Sequence, residues 1–336
     1  MPILVTGGAG FIGSHLVRLL IERGHHVVNF DALKYSGNLE NLREVSDHPR
    51  YTFVLGDICH RGQVAEVFAS QRFDAVINCA AETHVDRSIL EPDGFAMTDV
   101  VGTANLLEAA KQANVPRFLQ VSTDEVYGSV ERGSSVEDDP LDPRSPYSAS
   151  KAGADLLVRS YWTTYRYPVV ITRGSNTYGP NQYPEKFIPL FVTNALEDQP
   201  MPLYGDGKYR RDWLYVVDHC LGIEAVLQHG EPGTVYNVGG GNERENIAIA
   251  QAILAHLGKP SSLVRYVQDR PGHDRRYAVD CSRLRALGWT PTMPFEDGLR
   301  RTVDWYKNND AWWRTIKSGA FKAYYQQAYG LRLQAR

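Results

Sequence analysis

The amino-acid sequence predicts an α/β protein built on a doubly wound parallel sheet. Short apolar runs of strand length recur along the first half of the chain, amphipathic stretches separate them, and glycine-rich or polar loops follow them. Strands that alternate with helices favour a parallel sheet with helices on both faces. In such a sheet, ligands bind at the carboxyl ends of the strands. The side chains in these loops are therefore the first candidates for a functional site.

Composition and charge argue against several classes of function. The 336 residues are 43% hydrophobic and 22% charged, with a net charge of −3, so neither nucleic acid nor an anionic membrane is favoured as a partner. No apolar stretch approaches the roughly 20 residues that a membrane span needs, and the chain starts on a strand, with no room for a secretory signal. The four scattered cysteines lack metal-type spacing and suit a reducing compartment. We expect a cytoplasmic protein without a metal site.

A glycine-rich turn joins the first strand, residues 3–5, to an amphipathic helix that runs to about Arg23. Strand, turn and helix in this order form the dinucleotide-binding fingerprint of Rossmann folds. The first glycine permits the tight turn, the second lets the backbone approach a pyrophosphate, and the third allows helix and strand to pack closely. The phosphates would lie on the helix N-terminus, against its unpaired N–H groups. The predicted contacts of this turn are Gly7, Gly10, Phe11, Ile12 and Gly13.

Acidic residues after the next strands specify the dinucleotide. The strand 26–30 ends in Asp31, about twenty residues beyond the glycine turn, where an acid binds a ribose 2′-hydroxyl. The same acid repels a 2′-phosphate, so NAD is favoured over NADP. The strand 51–55 leads to Asp57 and Ile58, in a loop that can reach the adenine. Glycines alone can serve a tight turn, but in this context they predict an NAD site.

Later strands carry further polar loops to the same edge of the sheet. The strand 73–78 leads into residues 79–83, and the strand 118–121 leads into residues 122–125. Because the strands are predicted to be parallel, these loops should meet at the carboxyl edge, beside Asp31.

Tyr147 and Lys151 lie four residues apart on a predicted helix and therefore on one of its faces. Such a pair alone is usually structural. After a nucleotide-binding sheet, it resembles the Tyr-x-x-x-Lys pair of the short-chain dehydrogenase/reductase superfamily. An ammonium group and a cationic nicotinamide favour phenolate, so we expect the pKa of Tyr147 to be lowered until the phenol acts as a base. The resemblance implies that Lys151 also binds the nicotinamide ribose and that Thr123 hydrogen-bonds the reacting oxygen.

Asp124 and Glu125 add chemistry that alcohol oxidation or 4-epimerisation does not need. Elimination of water from a sugar requires an acid that protonates the departing hydroxyl and a base that takes a carbon-bound proton. Two adjacent carboxyl groups with separated pKa values meet both needs. A solvated acidic loop is the better interpretation of residues 137–139. The pair at the strand end therefore predicts a dehydratase.

The motif Thr123-Asp124-Glu125, followed by Val-Tyr-Gly, resembles that of the dTDP-glucose 4,6-dehydratase family, in the extended branch of the superfamily. Residues 34–40, 80–88, 185–189 and 269–273 are also similar to that family, so the resemblance covers nearly the whole chain. It implies an NAD-dependent hydro-lyase that converts dTDP-glucose to dTDP-4-keto-6-deoxy-glucose and water, with tightly bound NAD⁺ regenerated in each turnover. Tyr147 would take the C4 hydroxyl proton, Glu125 would take the C5 proton, and Asp124 would protonate the C6 hydroxyl.

The resemblance also implies which residues bind the two ligands. Asn176 and Arg211, with Arg270 nearby, would hold the diphosphate, whose oxygens fit an arginine fork. Pro202 and Tyr204 would bracket the pyrimidine. The substrate set is completed by Thr83, Lys186, Asn246 and His273. The cofactor set is completed by Lys34, Ala80, Ala81, Thr83, Thr98, Ser122, Tyr147, Lys151 and Thr177.

After residue 177 the regular alternation lapses, which predicts a smaller, interleaved α/β substrate-binding domain. We expect an NAD-binding domain at 1–177 with a segment that returns to it at about 210–235. The nucleotide-sugar domain would comprise 178–209 and 236–310, followed by a C-terminal helical tail at 311–336. Residues 212–216 are expected to join the main sheet, and residues 216–229, 246–257 and 295–308 to form amphipathic helices. The resemblance implies a homodimer that packs the helices 94–114 and 147–166.

Several functions stay open on the sequence alone. A pocket made by Pro202 and Tyr204 must separate thymidine from uridine by one methyl and one hydroxyl group, and a methyl contributes only about 1–3 kcal/mol. A 4,6-dehydratase of UDP- or CDP-glucose and a UDP-sugar 4-epimerase are therefore alternatives on the same scaffold. A non-catalytic protein that binds NAD or a nucleotide sugar is a third alternative, against which the intact Tyr147 and acid pair argue.

Overall fold

The computed structural model describes residues 1–334, and twelve strands in this part of the chain form three sheets. The strands are β1 (Pro2–Thr6), β2 (His26–Asp31), β3 (Tyr51–Leu55), β4 (Ala75–Asn78), β5 (Phe118–Thr123), β6 (Val169–Gly174), β7 (Asn176–Tyr178), β8 (Met201–Tyr204), β9 (Arg210–Tyr215), β10 (Val235–Val238), β11 (Glu243–Glu245) and β12 (Val264–Val267). The main sheet has seven strands in the order β10-β6-β5-β4-β1-β2-β3, and all neighbours are parallel. The predicted doubly wound sheet is confirmed.

Helices cover both faces of this sheet. The α-helices are α1 (Phe11–Glu22), α2 (Arg61–Ser70), α3 (Val85–Leu90), α4 (Pro92–Phe95), α5 (Thr103–Gln112), α6 (Pro146–Tyr165), α7 (Phe187–Leu196), α8 (Val216–His229), α9 (Asn246–Leu257), α10 (Ser282–Arg285), α11 (Phe295–Asn308), α12 (Asp310–Lys317), α13 (Ala320–Tyr325) and α14 (Leu331–Gln334). Shorter 3₁₀ segments span Leu39–Val45, Asp124–Tyr127 and Ser261–Leu263, and π-helical turns span Ala96–Gly102 and Gln326–Gly330.

The side chains of β1 explain why both faces are covered. Ile3 and Val5 pack into a core with α1 and α8, whereas Leu4 points to the opposite face, into a core with α2, α5 and α6. All three are fully buried. Continuous apolar runs of this kind are typical of parallel strands that are buried on both faces.

The second half of the chain builds a smaller lobe around its own apolar core. There β9 pairs with β7 and β11, and β8 pairs with β12. The helices α7, α9 and α11 enclose a core that includes Phe191, Trp213 and Ile253. The helices predicted at 216–229, 246–257 and 295–308 are confirmed with these bounds.

The placement of residues 212–216 in the main sheet was wrong. These residues belong to β9 and the start of α8, and the strand that returns to the main sheet is β10, next to β6. The polar side chains of β9 account for the difference. The Asp212 carboxylate accepts a hydrogen bond from the Asn242 backbone N–H, and Arg211 donates to the Asp274 carbonyl oxygen. β10, in contrast, is buried along its whole length, and three of its four residues are valine or tyrosine.

The tail after residue 310 is helical over its described part. Trp313, on α12, is fully buried against the smaller lobe, and the Trp312 indole N–H donates to the Asn41 side chain of the first half. Residues 335 and 336 of the predicted tail lie outside the described residues. Within residues 1–334, no helix has both the length and the apolar character needed to cross a membrane.

Candidate active site

The glycine turn between β1 and α1 adopts a conformation that a larger residue would disturb. Gly7 has φ +68° and donates its N–H to the Phe30 carbonyl oxygen at 3.0 Å. A Cβ at Gly13 would lie 2.2 Å from the Gly7 carbonyl oxygen, so helix and turn are in direct backbone contact. No side chain caps the N-terminus of α1. The first N–H groups of the helix therefore remain available to an anion.

Asp31, at the end of β2, shapes the loop beside this turn. Its carboxylate accepts hydrogen bonds from the backbone N–H groups of Ala9 at 2.9 Å and Leu33 at 2.8 Å. Burial raises the pKa of Asp31, and the two backbone hydrogen bonds partly offset that shift. Lys34 forms an ion pair with Asp57 at 3.3 Å and donates to the Thr98 hydroxyl at 3.2 Å. This side of the cavity thus combines two acids, Asp31 and Asp57, with the cation Lys34.

The predicted cofactor residues line one cavity along the carboxyl edge of the main sheet, with Lys151 as the exception. The lining includes Gly7, Gly10, Phe11, Ile12, Gly13, Asp31, Lys34, Asp57, Ile58, Ala80, Ala81, Thr83, Thr98, Ser122, Tyr147 and Thr177. Thr177 is held there by hydrogen bonds between its hydroxyl and the Ser175 carbonyl oxygen at 3.1 Å and the His219 Nδ1 at 2.7 Å. Lys151 is buried, and its Nζ donates to the Val121 carbonyl oxygen at 2.8 Å.

Tyr147 and Lys151 lie on successive turns of α6, which starts at a capping box formed by Ser145 and Ser148. The pKa of Tyr147 is held well above its usual value by burial, followed by the negative charges of Glu125 and Asp99. This shift is opposite to the one expected from Lys151, because the sequence argument did not include burial of the phenol, the largest cause, or the effect of these two charges on it. A hydrogen bond with Thr123 acts in the other direction. The expected lowering of the pKa of Tyr147 is therefore wrong for the protein without a bound cofactor.

Asp124 and Glu125 follow β5 in a 3₁₀ turn, and their surroundings separate them. Asp124 is only 2% exposed, and its pKa is raised well above the usual value by burial and then by Glu125 and Asp212. Burial also raises the pKa of Glu125, and the opposing charges of Arg270, Arg211 and Lys186 offset only part of that shift. Asp124 is therefore suited to hold a proton, and Glu125, which faces the cations, is suited to accept one.

A second cavity continues from the first into the smaller lobe. Glu125, Asn176 and Lys186 line both cavities, so one continuous cleft links the two sites. Eight of the nine predicted substrate residues line this second part, and Thr83 lines the first. The eight residues are Asn176, Lys186, Pro202, Tyr204, Arg211, Asn246, Arg270 and His273.

Two of these substrate residues share one protein partner, Asp86. The Asp86 carboxylate accepts hydrogen bonds from Arg270 Nη1 at 2.7 Å and from the Tyr204 hydroxyl at 2.8 Å. Burial would raise the pKa of Asp86, but Arg270 lowers it well below the usual range. Asp86 thus orients Arg270. It also binds the hydroxyl of Tyr204, whose side chain lines the cavity.

The sequence analysis missed two residues at the site, Asp86, which lines the second cavity, and Tyr277, which contacts Glu125 and Arg211. The hydroxyl of Tyr277 lies 3.5 Å from Glu125 Oε2 and donates to Asp274 Oδ2 at 2.8 Å, and its ring packs under the guanidinium group of Arg211. Tyr277 and Glu125 are 152 residues apart, so no local spacing links them. Asp86 lies within residues 80–88, which resemble the family, so that resemblance could have identified Asp86 as a site residue.

Unpaired polar atoms in the cavity wall indicate a polar ligand. Ser122 Oγ, Ser175 Oγ, Asn176 Oδ1 and His219 Nε2 are buried without a hydrogen-bond partner among the described residues. Buried polar atoms in native proteins are almost always paired, so an unpaired cluster around a cleft is expected to meet a ligand. Together with the glycine turn and Asp31, these atoms fit a dinucleotide with its nicotinamide end near Tyr147.

Comparisons with known proteins assign the family. The family model described as GDP-mannose 4,6 dehydratase matches residues 4–302. A dTDP-glucose 4,6-dehydratase from Neisseria meningitidis is 49% identical, with 95% of this chain and 97% of the relative covered. The chain belongs to the dTDP-glucose 4,6-dehydratase family of the extended short-chain dehydrogenase/reductase superfamily.

Solved structures support the same assignment. The dTDP-glucose 4,6-dehydratase DesIV from Streptomyces venezuelae, crystallised with NAD, is 50% identical and has a TM-score of 0.92, with 94% of this chain and 100% of that chain covered. A UDP-glucose 4-epimerase from Thermus thermophilus, complexed with NAD, shares the fold with a TM-score of 0.86 but only 33% identity, over 92% of this chain. Dehydratases and epimerases thus share this architecture, and side chains rather than fold must separate them.

Proposed function

We propose that this protein converts dTDP-glucose to dTDP-4-keto-6-deoxy-glucose and water, as a lyase that uses tightly bound NAD⁺ and regenerates it in each turnover. The observation that carries the proposal is the pair of carboxyl groups at the end of β5, buried Asp124 and half-buried Glu125, which line the same cavity as Tyr147. A UDP-sugar 4-epimerase would need Tyr147 but no acid–base pair for elimination. The separated environments of the two carboxyl groups therefore favour dehydration.

The chain offers a complete set of contacts for the cofactor. The N-terminus of α1 and the glycine turn would hold the pyrophosphate, Asp31 a ribose, and Asp57 with Ile58 the adenine. The unpaired atoms of Ser122 and Ser175 would meet the nicotinamide end. When bound, NAD⁺ supplies a hydride acceptor for C4 of the glucose and later a hydride donor for C6.

Tyr147 and Thr123 would act on the C4 hydroxyl of the sugar. Tyr147 removes the hydroxyl proton as C4 becomes a ketone, and the Thr123 hydroxyl hydrogen-bonds the same oxygen. Lys151, four residues after Tyr147 on α6, has its ammonium group hydrogen-bonded to the Val121 carbonyl oxygen and would bind the nicotinamide ribose once the cofactor occupies the cleft. These three residues form the oxidation half of the proposed site.

Asp124 and Glu125 would carry out the elimination. The C4 ketone acidifies C5, Glu125 accepts the C5 proton, and Asp124 gives its proton to the C6 hydroxyl, which departs as water. The resulting C5–C6 double bond is then reduced at C6 and reprotonated at C5. The raised pKa of Asp124 supports its role as the acid, since the group must be protonated before the step.

The smaller lobe would hold the nucleotide. Arg211 and Asn176 are proposed to bind the diphosphate together with Arg270, whose buried Nε has no partner among the described residues. Pro202 and Tyr204 would bracket the base. Thymine is favoured over uracil or cytosine because curated relatives about half identical to this chain are named as dTDP-glucose dehydratases.

Exposed apolar side chains support a homodimer. Leu156 and Tyr165 on α6, Ile89 and Leu90 on α3, and Met97 beside them are each at least 38% exposed. Helices that present several large apolar side chains on one surface commonly bury them against a partner. We place the proposed activity in the cytoplasm, where the four free cysteines would stay reduced.

The decisive experiment compares dTDP-, UDP- and CDP-glucose with the wild-type protein and Asp124→Asn. We expect the wild type to convert dTDP-glucose fastest, to a product lighter by one water, and to incorporate deuterium at C5 in deuterated water. In Asp124→Asn, reduced nicotinamide should form at a nearly normal rate, while product formation should fall about 10²-fold or more, the usual contribution of a general acid.

Mass spectrometry and nicotinamide absorbance separate the outcomes. A product of unchanged mass would identify an epimerase, and loss of water from UDP-glucose in preference would change the assigned base. An elimination rate in Asp124→Asn equal to that of the wild type would remove Asp124 from the mechanism.

A further inference from the structure

A fully buried arginine lies behind the active site and contacts both of its halves. Arg173, on β6, has no exposed surface. Its Nε donates to Asp155 Oδ2 at 2.9 Å, and its Nη1 donates to the Tyr127 hydroxyl at 2.8 Å. Neither Arg173 nor these two partners lines the cleft. The proposed reaction does not use them.

Asp155 connects Arg173 to the oxidation half of the site. It lies on α6, eight residues after Tyr147 and four after Lys151, so the three side chains share one face of the helix. The ion pair between Asp155 and Arg173 therefore fixes α6 against β6. Any rotation or sliding of α6 that moved Tyr147 would also pull apart this buried pair.

Tyr127 connects Arg173 to the elimination half. It is the last residue of the 3₁₀ turn that starts at Asp124. Its hydroxyl accepts from Arg173 and donates to Asn237 Oδ1 at 2.8 Å, so both of its hydrogen-bonding roles are filled. Immediately after it, Gly128 has φ +75°, and a Cβ there would lie 2.4 Å from the Asp142 carbonyl oxygen. The turn is thus anchored at its end.

The energetics of this network favour a role in geometry over a role in stability. Transfer of an ion pair into a protein interior costs desolvation energy that often equals its Coulombic gain. Asp155 Oδ1 and Arg173 Nη2 also have no hydrogen-bond partner among the described residues, which adds to that cost. An apolar pair of similar size would stabilise the fold as well, but it would not define the separation of two hydrogen-bonded elements.

We propose that Arg173, Asp155 and Tyr127 form a positioning network that sets where the turn with Asp124 and Glu125 lies relative to Tyr147. The proposal rests on the proposed function, in which one sugar must meet Tyr147 first and the acid pair next. A displaced turn leaves the C4 oxidation nearly intact but places the carboxyl groups wrongly for C5 and C6. Errors of about 1 Å in such placement cost about 10²-fold in rate.

The test is Tyr127→Phe with Tyr236→Phe as its matched control. Removal of the Tyr127 hydroxyl leaves Arg173 bound to Asp155 and to the Glu137 carbonyl oxygen, so no buried charge loses its main partner. Tyr236 lies on β10, is buried, and its hydroxyl accepts one hydrogen bond, from the Glu231 N–H, with no link to the acid pair. Both variants lose one buried hydroxyl from the same sheet region.

The readouts are the rates of the two half-reactions and amide hydrogen exchange. In Tyr127→Phe we expect formation of reduced nicotinamide to stay within about twofold of wild type and elimination to slow about tenfold or more, so that the reduced cofactor accumulates. The amides of the turn 124–128 should exchange faster than in the wild type, while those of α6 stay unchanged. Tyr236→Phe should alter neither rate and leave exchange in the turn unchanged.

Two results would overturn the network's role. The first is that the two variants change both rates equally, and the second is that amide exchange in the turn 124–128 is unchanged in Tyr127→Phe. Either result would mean that the network stabilises the fold without positioning the turn. Failure of the proposed function is separate, since the wild-type protein would then form no 4-keto sugar in the same assay. The exchange comparison still tests the anchor of the turn in that case.

Discussion

At the scale of single residues, the site depends on the different surroundings of two adjacent carboxyl groups, those of Asp124 and Glu125. Asp124 is buried beside other acids, Glu125 and Asp212, whereas Glu125 faces the cations Arg211 and Arg270. The same residue types in a solvated loop would titrate together. Sequence motifs identified this pair, but burial, which raises both pKa values, and the cations that offset the shift at Glu125 come from residues far along the chain.

The raised pKa of Asp124 predicts how stability depends on pH. A carboxyl group whose pKa is higher in the folded than in the unfolded protein stabilises the fold below its unfolded pKa, and this contribution is lost as pH rises through the folded pKa. Asp124→Asn cannot ionise. The difference in melting temperature between Asp124→Asn and the wild type should therefore shift in favour of Asp124→Asn as pH rises above about 4, the pKa of Asp in an unfolded chain.

Thermal melts of both proteins across the pH range would measure this difference. Asp93→Asn, a change at an exposed position on α4, serves as the control and should stay parallel to the wild type. A difference in melting temperature between Asp124→Asn and the wild type that stays constant with pH would mean that the pKa of Asp124 is not perturbed in the folded protein.

The same titration predicts that the elimination rate falls at alkaline pH, where Asp124 loses its proton.

At the scale of elements, the β1–turn–α1 unit was predicted almost completely. Its requirements are local: small residues where the backbone closes on itself, then an amphipathic helix. The helix 94–114 was predicted less well, because in the structure it is α4, a π-helical turn and α5 in succession. The spacing of the apolar residues in this region is close to that of an α-helix. A single π-helical turn changes this spacing too little to be recognised from the sequence.

A substitution in the glycine turn tests the fit of this unit to its cofactor. In Gly13→Ala, the new Cβ would lie 2.2 Å from the Gly7 carbonyl oxygen and 2.8 Å from the Gly8 Cα, so α1 must shift away from the turn. Overpacking of this kind costs about 1–3 kcal/mol and moves the N–H groups that face the pyrophosphate. We expect the purified variant to retain much less NAD, measured in the supernatant after denaturation.

Gly62→Ala is the matched control. Gly62 lies near the start of α2, and nothing surrounds the position of its Cβ within 4 Å. This variant should keep its full NAD content and gain slight stability from the higher helix propensity of alanine. Equal NAD content in the two variants would contradict the proposed close approach of the turn to the cofactor.

At the scale of the whole molecule, two lobes form one cleft, and ion pairs and aromatic contacts join them. Arg87, on α3, pairs at 2.8 Å with Glu185, whose side chain is fully buried. The guanidinium group of Arg87 also stacks between Tyr35 and Tyr324, the latter from the tail. The C-terminal tail therefore packs against the main sheet domain through Tyr324 and helps to join the two lobes.

The proposed dimer is tested by a charge on the exposed helix surface. Leu156, on α6, is 57% exposed among other apolar side chains. Leu156→Glu should convert dimers to monomers in light scattering, because burial of an unpaired carboxylate at an interface is costly. Leu55→Glu, at the end of β3 with 65% exposure, introduces the same change outside this surface and should leave the mass unchanged.

An unchanged mass in Leu156→Glu, with a wild type that is dimeric, would place the interface elsewhere. A wild type that is monomeric at all concentrations would contradict the dimer itself. Both results leave the roles proposed for Asp124, Glu125 and Tyr147 to be tested separately, by the rates of the two half-reactions.

The sequence by itself determined the parallel sheet, the glycine turn, Asp31 and the chemistry offered by Asp124, Glu125, Tyr147 and Lys151. These features depend on patterns within a few residues, where periodicity, turn chemistry and family motifs are informative. Only the tertiary structure decided that β10 rather than β9 completes the main sheet, that Asp86 orients Arg270, and that Tyr277 reaches Glu125. The physical reason is that these contacts join segments up to 184 residues apart, and packing rather than local pattern selects them.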